Sequence, residues 1–103
     1  MIKKSFLKTK CKVTFEAPAA IADGAETIHL VGDFNDWNET SHPMEKKKNG
    51  TFTIVVDLPL NREFQYRYLV NGTTWHNDWE ADKYVPNPFS GDNSVVTTYP
   101  PEK

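Results

Sequence analysis

Three histidines, His29, His42 and His76, and fourteen carboxylates are the residues of this chain with the means to move protons or hold a metal. His29 falls in an apolar run and the other two in turn-rich segments. No serine, and not Cys11, sits in the strand–turn–helix setting that activates a nucleophile, and no Gly-rich phosphate cradle occurs. Asp78 and Asp82 can be imagined as an acid–base pair, but fourteen acidic residues on a small surface generate such pairs by chance. Asp78-Trp79-Glu80-Ala81-Asp82 begins like a calcium loop, with oxygen ligands at alternate positions. The loop then needs Gly at its sixth position and Glu at its twelfth, where this chain has Lys83 and Phe89. His76-Asn77-Asp78 supplies two ligands, too few for a closed metal site. Solvated acidic turns are the expectation for this stretch, with no enzyme activity, metal or cofactor.

The other chemistry on offer is stacking. Aromatics make up 13% of the chain, enough to leave some rings for a surface. The stretch Val31-Gly32-Asp33-Phe34-Asn35-Asp36-Trp37-Asn38 runs from an apolar segment into turn residues and then presents Trp37. Gly supplies backbone freedom, and Asn and Asp bond their own backbone in turns, so a strand is expected to end near Gly32 with Trp37 on the loop after it. An indole face is slightly negative and the axial C–H groups of a pyranose are slightly positive, so such a ring can stack on a sugar. It can equally pack into the edge of a sandwich, and the octapeptide alone leaves both readings open. Trp75 and Trp79 also fall in or beside loops. Arg67 is predicted to point outward near Trp75, and Asn93 precedes the last strand. Ring faces with a few polar groups make a ligand platform. At least one tryptophan is expected in the core, and Trp79 is the choice.

The elements that would position these groups are strands. The chain has 103 residues, 25% charged and 38% hydrophobic, which suits one globular domain, residues 1–103, with a real core. A net charge of −2 gives no general pull on nucleic acid. The lysines of residues 3–12 and Lys46-Lys47-Lys48 read as solvated faces. The lone Cys11 excludes an internal disulfide and fits a reducing compartment. With no apolar run long enough for a membrane span and no leader, the expectation is a cytoplasmic protein with no membrane partner.

Residues 5–15 alternate, with Leu7, Thr9, Cys11, Val13 and Phe15 on one face and lysines on the other, as on a half-buried edge strand. Thr27–Val31 is the second strand, and Met44–Lys47 is a short one. Asn49-Gly50 turns the chain into Thr51–Leu58. Glu63–Val70 follows, with Phe64, Tyr66, Tyr68 and Val70 inward and Gln65, Arg67 and Leu69 outward. Asn71-Gly72 is a hairpin turn, and Trp75 begins the returning arm. Residues 76–93 are expected to form an ordered surface loop, and Ser94–Tyr99 the last strand. A helical turn near residues 18–22 is the only helix expected. Six or seven short strands at this spacing predict an all-β, two-sheet antiparallel sandwich. Val13, Phe15, Ile28, Leu30, Phe52, Ile54, Val56, Tyr66 and Val95 are its predicted core.

Four blocks in order carry a family resemblance: residues 31–38, then Phe64-Gln65-Tyr66-Arg67-Tyr68-Leu69-Val70-Asn71-Gly72, then Trp75, then Gly91-Asp92-Asn93-Ser94-Val95-Val96. Over roughly residues 26–97 the chain resembles the family-48 carbohydrate-binding modules. These are the glycogen-binding domains of AMP-activated protein kinase β-subunits and the early-set domains at the N-termini of branching enzymes and isoamylases. Across its whole length it is similar to short bacterial proteins described as isoamylase early-set domain proteins. The resemblance implies an immunoglobulin-like, early-set antiparallel sandwich of about seven strands. It also implies non-catalytic binding of an α-1,4-glucan such as glycogen, starch or a maltooligosaccharide. By the same resemblance, Trp37 and Trp75 stack on sugar, Arg67 and Asn93 bond hydroxyls, and Phe89 props the ring stack. Arg67 stands where the kinase subunits have Lys, Gly91 where they have Thr, and one extra residue precedes Trp75. The alternative is an interaction module with a decayed sugar site, partnered by a glycogen-metabolising enzyme, because Trp and Arg also dominate protein interfaces.

Overall fold

The computed structural model describes residues 2–87 and 91–100. Within them the chain forms two antiparallel sheets. The first sheet has the order β1-β2-β5-β4: β1 Ile2–Phe6, β2 Lys10–Glu16, β5 Phe52–Pro59 and β4 Glu45–Lys46. The second has the order β3-β6-β9-β8: β3 Ile28–Gly32, β6 Glu63–Val70, β9 Asp92–Thr97 and β8 Lys83–Pro86. A further strand, β7 Thr74–His76, also pairs with β6. The helical turn near Pro18 is present as α1, Ala19–Ala22. The all-β sandwich expected from the alternation is the observed fold, with nine strands among the described residues rather than seven.

The core lies where the two inner faces meet. Phe15, Ile28, Leu30, Phe52, Tyr66 and Tyr68 are almost wholly buried there. Phe15 meets Tyr66 edge-on with ring centroids 5.0 Å apart, a geometry worth about 0.5–1.5 kcal/mol beyond burial. Ile54 and Val56 are only half-buried and pack on the margin of this cluster. Val95 is buried, but it stands opposite Gln65 and so lies on the outer face of the second sheet.

Three further expectations are corrected. The alternation over residues 5–15 belongs to a hairpin, not to one strand: Phe6 pairs with Cys11, Leu7 N–H donates to the Lys10 carbonyl at 2.8 Å, and Leu7 is exposed. The inward set changes phase at the turn, from Ile2, Lys4 and Phe6 on β1 to Cys11, Val13 and Phe15 on β2, and no Gly or Pro marks it. This makes β1 the edge, and β2 lies between β1 and β5. Its lysines line an outer face rather than a sheet edge.

The segment 76–93 is not only a loop, since it contains β8 and begins β9. Its Asp78 is not a solvated turn residue but is fully buried. One Asp78 carboxylate oxygen accepts from the Tyr66 and Tyr68 hydroxyls at 2.9 and 3.0 Å, and the Asp78 N–H donates to Ser94 Oγ at 2.8 Å. Burial above all pushes both phenols well above the usual tyrosine range, with the neighbouring Tyr68 and then Asp78 adding to the rise at Tyr66, and Asp78 at Tyr68.

Trp79, chosen from sequence as a core residue, is 65% exposed. The buried member of this turn is its polar neighbour, because two core phenols need an acceptor and Asp78 supplies it.

Candidate functional site

Strand β6 organises the candidate site. Its Phe64, Tyr66, Tyr68 and Val70 belong to the core cluster, so Gln65, Arg67 and Leu69 face outward. Cross-strand register brings other residues to the same outer face. Val31 pairs with Arg67 and His29 with Leu69 on one side, and Trp75 pairs with Leu69 on the other. Farther along the same flank, Val95 pairs with Gln65, and Asn93 shares its face by alternation. Val31, Leu69 and Val95 are buried yet stand apart from the core cluster. They form an apolar floor on this face, with Arg67 and Trp75 part-buried beside it.

Trp37 stands in the loop after β3 and is joined to β6 through Asp33. A 3-10 turn, Asp33–Asn35, follows directly on Gly32. Gly32 is required by space rather than by φ: a Cβ there would run into the Gln65 carbonyl oxygen and the Tyr66 Cβ. Phe34 tucks under the turn, with ring centroids 5.9 Å from Phe15 and 6.3 Å from Phe64. Asn35 stitches the loop to itself. Its carbonyl oxygen accepts from Gly32 N–H at 3.1 Å, and its amide donates to the Leu30 carbonyl at 3.0 Å. The same amide lies 3.0 Å from His42 Nδ1. An amide nitrogen can only donate, so that ring nitrogen is the acceptor.

Asp36 and Trp37 are both left-handed, at φ 54° and 57°. This is tolerable for Asp and costly for a bulky residue. Trp37 is held there by its N–H to the Gly32 carbonyl at 2.9 Å and by its indole Nε1–H to Asp33 Oδ1 at 2.9 Å. The other oxygen of Asp33 accepts from Gln65 N–H at 2.8 Å. The loop is thereby joined to β6.

Three of the five site residues named from sequence lie on one side of the second sheet, with Arg67 and Trp75 on its outer face and Asn93 beside them, and Trp37 lies in the loop after β3, tied to β6 through Asp33. Trp37 and Trp75 are both part-buried, with some ring surface open. Asn93 is 8% exposed. One amide hydrogen of Asn93 is engaged by Gln65 Oε1 at 3.0 Å, and its oxygen accepts from Asn87 at 3.4 Å. Phe89 lies outside the described residues. The side-chain nitrogens Arg67 Nε and His29 Nδ1 are buried without a hydrogen-bond partner, on diagonal positions of the same face. Among the described residues no group of three or more His, Cys, Asp or Glu lies where it could hold a metal ion.

Asp33 and Gln65 were not singled out from sequence. Asp33 reads there only as a turn former, and Gln65 only as an outward residue. The spacing of Asp33 to Trp37, four residues across a 3-10 turn, is the one local signal that ties them.

The family model of carbohydrate-binding module 48 (isoamylase N-terminal domain) matches residues 12–90. The chain is 31% identical to a 1,4-alpha-glucan branching enzyme of Aquifex aeolicus over 85 residues, which is 76% of this chain and 13% of that enzyme. It is 30% identical to one from Butyrivibrio fibrisolvens over 67 residues, 65% of this chain and 10% of the enzyme. Over 39 residues, 38% of this chain and 6% of the relative, it is 46% identical to the branching enzyme of Dictyostelium discoideum. The chain therefore spans only a small part of these relatives' length. The family match covers well over half of the chain and runs from within β2 through β8 of the sandwich just described. By that match, the chain belongs to the carbohydrate-binding module 48 family.

Proposed function

We propose that this domain binds α-1,4-glucan without transforming it, by stacking sugar rings on Trp37 and Trp75 and hydrogen-bonding hydroxyls through Arg67 and Asn93. The reading is supported by Arg67, Trp75 and Asn93 sharing the outer side of the second sheet, beside the floor of Val31, Leu69 and Val95, with Trp37 tied to the same strand through Asp33. Arg67 offers its guanidinium fork, and its unpartnered Nε–H is a donor that a hydroxyl can satisfy after a small side-chain movement. Asn93 keeps one amide hydrogen beyond the one given to Gln65. Family membership and the likeness to part of several branching enzymes support the choice of an α-glucan over other sugars.

Sugar is neutral, so affinity rests on stacking and directional hydrogen bonds and varies little with salt, unlike phosphate binding. A shallow platform gives a dissociation constant of about 10 μM to 1 mM. Retention on amylose or glycogen resin, followed by calorimetry with maltoheptaose, tests the proposal. Trp37→Ala or Trp75→Ala alone should weaken binding more than about tenfold, and cellohexaose should bind less well. Absence of binding at millimolar maltoheptaose refutes the reading and leaves the rings to a protein partner.

A further inference from the structure

We infer that Asp33 is the positioning residue of the glucan platform: its carboxylate clamps the Trp37 indole to strand β6. The inference rests on the glucan reading for its functional meaning, but the clamp itself stands on geometry. Both oxygens of Asp33 are committed. Oδ1 takes the Trp37 Nε1–H at 2.9 Å, and Oδ2 takes the backbone N–H of Gln65 at 2.8 Å. Gln65 in turn uses its side-chain oxygen to hold the Asn93 amide at 3.0 Å. One short chain of bonds therefore runs from the Trp37 indole through Asp33 and Gln65 to the Asn93 amide, and Asp33 is its only charged member.

The clamp is needed because of the backbone beneath it. Asp36 and Trp37 are consecutive left-handed residues at φ 54° and 57°. A tryptophan in that conformation persists only when its surroundings over-determine it. The Trp37 N–H bond to the Gly32 carbonyl fixes the backbone but leaves the ring free to turn about its side-chain torsions. The Asp33 bond removes that freedom. A carboxylate acceptor is stronger than a neutral one, and it reaches the nitrogen edge of the indole, so both ring faces stay clear of the clamp. Asp33 then raises affinity without touching sugar, by sparing the ligand the cost of ordering the ring. The Trp37 edge is spent on Asp33, so Trp37 contributes stacking and gives no hydrogen bond to a hydroxyl.

The test compares wild type, Asp33→Ala, Asp33→Asn, Trp37→Phe and the Asp33→Ala/Trp37→Phe double variant, each ¹⁵N-labelled. The indole resonance missing from Trp37→Phe is that of Trp37. In wild type it should lie downfield and exchange slowly with solvent. In Asp33→Ala it should move to the position of a water-exposed indole, and in Asp33→Asn it should move part of the way. Maltoheptaose affinity should fall about tenfold in Asp33→Ala. On the Trp37→Phe background, where the ring has no N–H to hold, the same change should cost less than about twofold. This contrast separates the clamp from the support that Asp33 gives to Gln65, which is lost equally on both backgrounds. If Asp33→Ala fails to fold, Asp33→Asn carries the same comparison. An unmoved indole resonance, or an equal loss on both backgrounds, overturns the inference. If wild type binds no glucan, the functional reading fails, and the indole resonance alone still decides the clamp.

Discussion

The side-chain carbonyl of Gln65 holds the amide of Asn93 at 3.0 Å, across the β6–β9 pair and on the face that carries Arg67. The bond fixes the orientation of the Asn93 amide. Gln65→Leu keeps the apolar stem and removes the acceptor. It should weaken maltoheptaose binding about three- to tenfold, the worth of one net hydrogen bond, with a change in thermal unfolding of no more than a few degrees. Calorimetry and a melting curve on the same sample measure both.

Asp78 is a structural carboxylate. Asp78→Ala leaves the Tyr66 and Tyr68 hydroxyls without their shared acceptor in the core, and the penalty for unsatisfied buried groups puts the cost at about 2–4 kcal/mol. The expected result is a large fall in the urea midpoint. Restoring bulk with Asp78→Leu should not recover it, because the missing element is an acceptor and not volume.

The same pair sets the alkaline limit of the fold. Tyr66 and Tyr68 have folded-state pKa values raised above the ordinary 10.0, chiefly by burial. Their neutral forms are favoured in the native state, so their stabilising contribution is complete below pH 10 and is lost as pH rises beyond it. Each phenol steepens that loss by about 1.4 kcal/mol per pH unit. Phenolate absorbance of these two residues should appear together with loss of the β-sheet circular dichroism signal, as one cooperative transition. Tyr66→Phe should make the alkaline slope shallower. Smooth ionisation of both phenols in a protein that keeps its sheet signal would contradict this account.

Two aromatic truncations should have opposite consequences. Phe52 is 1% exposed and lies in the core cluster, so Phe52→Ala should cost about 3–5 kcal/mol. Trp79 is the largest exposed ring, and Trp79→Ala should change stability by less than about 0.5 kcal/mol and leave glucan affinity unaltered. Denaturant titration of the two variants against wild type checks the contrast.

The sandwich was legible from sequence because its long strands alternate cleanly. The inward set of β6, Phe64 to Val70, is the set observed, and its outward set carries Arg67. The first hairpin was not, because Lys8, Lys10 and Lys12 alternate with other residues across a turn that no Gly or Pro marks, and the change of inward face there leaves no trace in that pattern. The mistake over Trp79 and Asp78 has one cause. Side-chain polarity ranks residues by their average burial, whereas here two core phenols required an acceptor and the backbone turned Asp78 inward to supply it. The choice of Trp37, Arg67, Trp75 and Asn93 as site residues rested on the family resemblance and not on periodicity. The parts played by Asp33 and Gln65 required the register of β3 against β6, which no local pattern reveals.

Strand β6 also has a consequence for how this domain can change over time. Its neighbours are β3, β7 and β9, so Arg67 sits on it, Trp75 and Asn93 on strands bonded to it, and Trp37 on a loop tied to it. One row of its side chains builds the interior and the alternate row builds the exterior surface. A slip of one residue would exchange Arg67 for Tyr66 or Tyr68 and break both rows together. Insertions and shifts along this strand are therefore closed routes to a new specificity. The surface can be retuned only one side chain at a time, at positions such as Arg67 and Gln65 whose replacement leaves the opposite row untouched.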